Sequence, residues 1–281
     1  MTRHVRLREL LIAVEGLALL RHLYEGTDDA AERRLAEVRR LLDDDAFSAA
    51  EPTSEEDPRT GYGSWSERYD EPGNPIIALE EPVVRSVLDG SPPGRTLDAA
   101  CGTGRHARHL VELGHEVVGV DLTPEMLRRA AAAVPDATFL EADLRDIPAP
   151  DGHFDLVVCG LALAHVDDVR AAVTELARVL RPGGRLVVSV LHPLQVHLGW
   201  HARFSDARGN RRFVREHPHK HADYLAAFAS AGIVVRDCVE PELTADHVRE
   251  SRRAFRHIPE ATLEAYVGLP AVLVWIGEKA G

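Results

Sequence analysis

Cysteine is scarce: Cys101, Cys159 and Cys238 are the only three in 281 residues, and they lie far apart. That spacing excludes a disulfide framework and a zinc knuckle, and Cys238 reads as a small buried hydrophobe. No apolar run approaches the ~20 residues that a membrane-spanning helix needs. The opening Met1-Thr2-Arg3-His4 lacks the apolar stretch of a secretory signal, so a cytoplasmic protein without a membrane partner is expected. Positive charge is also short. Thirty-three Lys and Arg against 45 Asp and Glu leave a net charge of −12. Phosphates would be repelled, which argues against a broad nucleic-acid surface, and Arg211-Arg212 and Arg252-Arg253 read as solvated faces. Hydrophobic residues make up 45% of the chain, enough to build one α/β domain of ordinary size plus an appendage.

Residues 5–24 and 29–43 carry apolar side chains at helical spacing, with Thr27-Asp28-Asp29 as a cap for the second helix. They predict a helical hairpin used for core packing. The acidic, proline-containing stretch 46–60 reads as a linker, so residues 1–60 form an N-terminal extension. Tyr62, Trp65 and Tyr69 then crowd into eight positions of a chain that is only 5% aromatic. They pack a short helix or form a lid over a ligand. Strands at 95–100, 116–121, 137–142, 154–160 and 185–191 alternate with helices at 104–113, 124–133 and 168–180. That alternation predicts a parallel sheet covered by helices on both faces. A helix at 221–231, a strand at 233–239, a helical region at 243–265 and a strand at 270–277 follow, completing a domain of residues 61–281.

The first strand ends on Asp98-Ala99-Ala100-Cys101-Gly102-Thr103-Gly104, a turn almost without side chains that opens into a helix. Such a turn brings bare backbone and N–H groups close to a nucleotide-like ligand. Gly102-x-Gly104-x-x-Ala107 fits the loose dinucleotide fingerprint, and Asp121 lies 19 residues beyond Gly102, near the ~20 expected of an acid on a ribose hydroxyl. A carboxylate at Asp98 would repel a pyrophosphate and attract an ammonium group. S-adenosylmethionine carries an ammonium and a sulfonium, and no phosphate. At successive strand ends, Asp121 suits ribose hydroxyls, Asp143 an adenine amino group, and the Leu144 N–H a ring nitrogen.

In their order and spacing, DAACGTG, VVGVDLTPEML, EADLRDIP, FDLVVCGLALAHVDD and LRPGGRLVVS resemble a class I S-adenosylmethionine-dependent methyltransferase over residues 60–281. The resemblance implies a Rossmann-like, seven-stranded, mostly parallel sheet with an antiparallel last strand, and S-adenosyl-L-methionine as cofactor. It implies that Asp98 and Gly102 face the methionine moiety, that Gly104 belongs to the same turn, and that Asp121, with Leu122 beside it, holds the ribose. Ala142, Asp143 and Leu144 would surround the adenine, Cys159 and Leu161 would line the cleft, and Tyr69 would be the preceding aromatic. Ala100 stands where the family often has glycine, and its methyl group is expected to fit.

Methyl transfer to a hydroxyl needs a proton acceptor, and His192 and His165, beyond strands 5 and 4, are the candidates. The His- and Arg-rich insertion 192–221 contains RFSDARGNRRFV, a β-hairpin pattern with a Gly-Asn turn, placed to form a lid. Tyr62, Trp65, His197, Trp200, His201, His221 and Tyr224 are candidate substrate-pocket residues. His217-x-His219-x-His221 has no Cys or carboxylate cluster to complete a site, so no metal is expected. The sequence thus reads as a methyltransferase acting on a small molecule in specialised metabolism, with oxygen favoured over nitrogen or carbon acceptors and a monomer or homodimer expected. An S-adenosylmethionine enzyme of rearrangement or cyclisation chemistry, a non-catalytic binding module and a nicotinamide oxidoreductase are the alternatives.

Overall fold

The computed structural model describes residues 2–251 and 253–281, so Arg252 lies outside the described residues. The chain opens with β1 (Thr2–Arg6), α1 (Leu7–Arg21), α2 (Asp28–Asp43), β2 (Ala50–Glu56), α3 (Pro58–Trp65) and α4 (Pro75–Asp89). The alternating region is β3 (Arg95–Ala99), α5 (Arg105–Glu112), β4 (Glu116–Asp121), α6 (Pro124–Ala133), β5 (Thr138–Glu141), β6 (Phe154–Gly160), α7 (Val169–Val179) and β7 (Leu180–Leu191). After it come α8 (Pro193–His197), β8 (Ala202–Ser205), β9 (Arg211–Val214), α9 (His221–Ser230), β10 (Ile233–Val239), α10 (Ala245–Ser251), α11 (Pro259–Tyr266) and β11 (Val272–Lys279).

Seven strands form one sheet in the order β10-β11-β7-β6-β3-β4-β5. The five from β7 to β5 run parallel, and β11 is antiparallel to both β7 and β10. The expected mostly parallel sheet with an antiparallel last strand is what the chain forms. Both faces are apolar because successive side chains point to opposite sides. On β6, Val157 and Cys159 join a core with α7 and α9, while Leu156 and Val158 join another with α1, α4, α5 and α11. None of the described helices is long and apolar enough to cross a membrane.

A second, four-stranded sheet, β1-β2-β9-β8, departs from the sequence reading. The first predicted helix starts only at Leu7, because residues 2–6 pair antiparallel with β2. The stretch read as a linker holds β2, whose polar sequence AEPTSEE shows no apolar alternation. Backbone pairing to β1 and β9 makes it a strand, with ion pairs of Glu51 to Arg211 (2.8 Å) and Glu55 to Arg215 (2.6 Å). The N-terminal extension is therefore woven into the 192–221 insertion. The hairpin turn is also longer than a Gly-Asn pair. Residues 206–210 form a loop in which Asp206 accepts the N–H groups of Arg208 and Asn210, both at 2.9 Å, and Gly209 takes φ +78°. The region 243–265 divides at a short 3₁₀ turn and at Pro259, the first residue of α11. Cys238 is exposed rather than buried, because β10 is an edge strand with one face uncovered.

Two buried acids tie the layers together. Glu80, on α4, is fully buried and accepts from Arg105 (2.6 Å), His106 (3.0 Å) and Ser189 (2.7 Å), joining α4, α5 and β7. Burial alone would raise its pKa. His106 and Arg105 outweigh that and hold it at about 2. Its stabilising share is present above the ordinary carboxylate value and fades as pH falls toward 2. Glu80→Ala leaves the Arg105 guanidinium without its carboxylate and His106 and Ser189 without their acceptor, and a loss of about 3–5 kcal/mol is expected in denaturant unfolding at pH 7.

Glu15 is the opposite case. It is fully buried on α1, neither oxygen has a hydrogen bond, and Arg34 Nε lies 3.6 Å away. Burial pushes its pKa up to about 7. A raised acid stabilises the fold fully below its unfolded value and loses that contribution as pH rises through 7. Glu15→Gln should therefore raise the Tm at pH 8 and leave it nearly unchanged at pH 5, read from thermal unfolding at the two pH values.

Candidate active site

The carboxyl ends of β3, β4, β5 and β6 meet at one cavity of about 270 Å³. Ala100, Gly102, Asp121, Leu122, Ala142, Asp143, Leu144 and Leu161 line it from the strand ends, and Tyr62, Tyr69 and His165 close it. Eleven residues singled out from sequence thus converge on one space. The turn after β3 is built on left-handed backbone at Ala100 (φ +57°), Gly102 (φ +54°) and Gly104 (φ +86°). Glycine adopts this conformation freely, whereas Ala100 bears strain of about 1–2 kcal/mol. A side chain built on Gly102 would meet nothing within 4 Å, so bare backbone faces the cavity. Leu161, at φ +55°, is a second strained wall residue at the end of β6.

Asp121 holds this turn. Its Oδ2 accepts from the Gly102 N–H at 2.9 Å and its Oδ1 from the Thr123 N–H at 2.8 Å. Burial raises its pKa and these hydrogen bonds oppose the rise. Each oxygen keeps a further lone pair for a ligand hydroxyl. Asp143 is chelated by Arg145, with Nε at 2.9 Å from Oδ1 and Nη2 at 2.8 Å from Oδ2, and this partner lowers its pKa. Thr103 donates to Asp70 at 2.7 Å and Arg59 to Glu141 at 2.6 Å, binding the aromatic segment down over the strand ends.

Three residues assigned to the cofactor cleft stand behind its wall. Asp98 is buried, accepts the Ala107 N–H at 2.9 Å inside the first turn of α5, and is pushed up to about 6 by burial. Gly104 caps α5, where a side chain would lie 3.3 Å from Ala130 on α6. Cys159 is fully buried in the core.

The two histidines separate. His165 Nδ1 donates to the Arg215 carbonyl at 2.8 Å, which leaves the lone pair on Nε2, and the Tyr62 hydroxyl donates to that nitrogen at 2.7 Å. Glu216 Oε1 lies 3.5 Å from the same nitrogen. Glu216 is buried, its Oε2 has no hydrogen bond, and burial raises its pKa. Sequence reasoning missed Glu216, because it is 51 positions beyond His165 in an insertion without a recognisable motif.

His192 is turned away from the cavity. It caps α8, its Nδ1 accepting the Leu194 N–H at 3.1 Å, so its Nε2 carries the proton donated to Glu240 at 2.9 Å. His221 approaches the same Glu240 oxygen at 2.8 Å. The donor atoms of His192, His221 and Glu240 lie within 4.8 Å of one another, yet the proton on His192 Nε2 makes them a hydrogen-bonded clamp. His219 turns instead to the Val166 carbonyl at 2.7 Å, so the alternate histidines do not converge.

A second cavity, of about 310 Å³, shares Tyr62, Tyr69 and Leu161 with the first. Trp65, Trp200 and His201 line it with Arg203 and Glu216. Tyr224 is buried against Trp275 in the core, and His197 is exposed at the end of α8. Neither they nor His221 reach this cavity.

Residues 97–188 match a family model described as a methyltransferase domain. The chain is 47% identical to a demethylmenaquinone methyltransferase of Thermus thermophilus over 107 residues, 36% of this chain and 49% of that protein. It is 34% identical to a malonyl-[acyl-carrier protein] O-methyltransferase of Pseudescherichia vulneris over 127 residues, 44% of this chain and 51% of that one. The chain thus spans about half the length of the curated relatives it matches. Among solved structures, an S-adenosylmethionine-dependent methyltransferase from Mesorhizobium loti superposes with a TM-score of 0.56 at 28% identity, over 73% of this chain and all of the other. Sequence, sheet order and the glycine turn at the strand ends agree: this chain carries a class I S-adenosylmethionine-dependent methyltransferase domain.

Proposed function

We propose that this chain transfers a methyl group from S-adenosyl-L-methionine to an oxygen of a small molecule. The observation that carries the reading is the pair of cavities joined at Tyr62, whose hydroxyl is bonded to His165 on the first of them. The first cavity suits the cofactor. Its walls bring Asp121, Asp143 and Asp167 together and offer bare backbone at Gly102. Its one arginine, Arg145, is engaged by Asp143. Such walls favour a sulfonium and an ammonium over a pyrophosphate. Asp121 would hold the ribose, Ala142, Asp143 and Leu144 the adenine, and Tyr69 with the Gly102 turn the methionine moiety.

When bound, the cofactor supplies the electrophilic methyl group, and the protein contributes position, exclusion of water and a proton acceptor. An acceptor hydroxyl in the second cavity passes its proton through the Tyr62 hydroxyl to His165 Nε2. Burial holds the Tyr62 phenol well above its ordinary pKa, so it relays a proton while remaining neutral. Glu216, 3.5 Å away, is the counter-ion for the imidazolium that forms. The relatives, a demethylmenaquinone methyltransferase and a malonyl-[acyl-carrier protein] O-methyltransferase, support a small or carrier-borne acceptor. The reading extends to a cytoplasmic enzyme of specialised metabolism that acts as a monomer or homodimer without nucleic acid.

Calorimetric titration should give micromolar binding of S-adenosylmethionine and S-adenosylhomocysteine and none of NADH. Asp121→Ala should weaken both by about 10- to 100-fold, the value of hydrogen bonds to a charged acceptor. Binding of NADH alone would overturn the reading. With a hydroxylated acceptor, His165→Gln should lower kcat by about 10²–10⁴-fold and leave S-adenosylhomocysteine affinity unchanged. Unchanged kcat would remove His165 as the base. Cofactor binding without transfer to any acceptor would favour the non-methylating alternatives.

A further inference from the structure

The charged side chains of the second cavity are matched, with one exception. Arg68 pairs with Glu71 at 2.9 Å, and Glu216 faces His165. The guanidinium groups around the cavity are matched as well. Arg211 and Arg253 share Glu51, each at 2.8 Å, Arg212 takes Asp206 at 3.0 Å, and Arg215 takes Glu55 at 2.6 Å. Arg203 has no carboxylate and no hydrogen-bond acceptor among the described residues. Its contact is the face of Trp200, with the ring centroid 5.9 Å from Cζ.

The position of Arg203 adds to this. On β8 it alternates with Phe204, which is buried and stacks on Trp65 at 5.3 Å, so Arg203 takes the opposite side of the strand. It is open to solvent through the cavities it lines. Besides the second cavity it borders a third, of about 580 Å³, whose apolar wall is Leu10, Ala13 and Leu17 of α1. Burial lowers its pKa, Tyr266 opposes that, and the neighbouring Arg211 and Arg253 lower it further, so the guanidinium stands among cations without a carboxylate of its own. His201, on the same cavity, is pushed down by burial and by Arg215, Arg203 and Arg3, which together outweigh the opposing Glu55. In a chain of net charge −12, this is a local positive focus beside the methyl-transfer site.

We propose that Arg203 is the anchor for an oxyanion of the methyl acceptor, so that the substrate class is a hydroxylated organic anion bearing a carboxylate or phosphate. This rests on the methyl-transfer reading only for which atom is methylated. The guanidinium fork matches either oxyanion through two parallel N–H donors, and the Trp200 face supports its plane. The shared position of Arg203 places the anion at the mouth of both cavities. The hydroxyl then points toward Tyr62, and an apolar body has room against α1.

The test uses sets of acceptor analogues with one hydroxylated body carrying a carboxylate, a phosphate ester or a neutral primary amide. Each is titrated calorimetrically against the protein saturated with S-adenosylhomocysteine and against the cofactor-free protein. The carboxylate or the phosphate should bind at least tenfold more tightly than the amide, and whichever does identifies the oxyanion. Arg203→Gln should erase that difference, Arg203→Lys should keep part of it, and S-adenosylhomocysteine affinity should stay unchanged in both. Equal binding of anion and amide, binding of neither, or a preference that survives in Arg203→Gln would each overturn the anchor. A protein that prefers the anions and fails to bind S-adenosylhomocysteine would overturn the cofactor reading and leave the anchor standing.

Discussion

Asp121 carries the constraint on which the site depends. By accepting the N–H groups of Gly102 and Thr123, one carboxylate locks the turn after β3 to the end of β4. Without that clamp, three left-handed positions at alternate residues, one of them an alanine, would have little reason to persist. The turn in turn aims α5, whose first-turn Ala107 N–H is taken by Asp98 and whose Arg105 and His106 are taken by Glu80. A chain of buried, charge-assisted bonds therefore runs from the ligand cavity to the helix layer behind it. Bonds of this kind are strong only when every partner is in place, which makes the cavity rigid.

The strand-end cavity was legible because its information is local. A strand, a glycine turn and an acid at the next strand end follow one another between Arg95 and Asp121, and the parallel sheet brings them together whatever the rest of the chain does. The same rule placed Asp143, Leu144 and Leu161 on the wall. It failed at His192. Pro193 begins a helix there, and His192 spends its Nδ1 capping that helix, which turns the ring toward Glu240. Asp98 and Cys159 were misplaced for a related reason. A position at a strand end does not say which face of the sheet the side chain takes, and both point into the protein.

The second cavity was mostly illegible because long-range pairing makes it. Tyr62 meets His165 across 103 positions, and Arg203 gains its setting only when β8 and β9 join β1 and β2. β2 is a strand by partnership rather than by pattern, since its acidic side chains are matched by arginines from elsewhere in the chain. The N-terminal extension and the insertion are thus one structural unit, although 135 residues separate Glu56 from His192 and no local feature of either segment announces it. The expected aromatic cluster was visible in composition. The structure puts Tyr62 and Tyr69 on the cavity and stacks Trp65 on Phe204.

The central claim is that the strand-end cavity holds the adenosyl cofactor with its reacting end toward the Tyr62–His165 pair. A crystal structure of the complex with S-adenosylhomocysteine tests it most directly. The account predicts both ribose hydroxyls on the Asp121 carboxylate, the adenine between Asp143 and Leu144, and the sulfur facing the cavity shared by Tyr62 and Leu161. A ligand bound elsewhere, or bound here with its sulfur turned away from that junction, would contradict it.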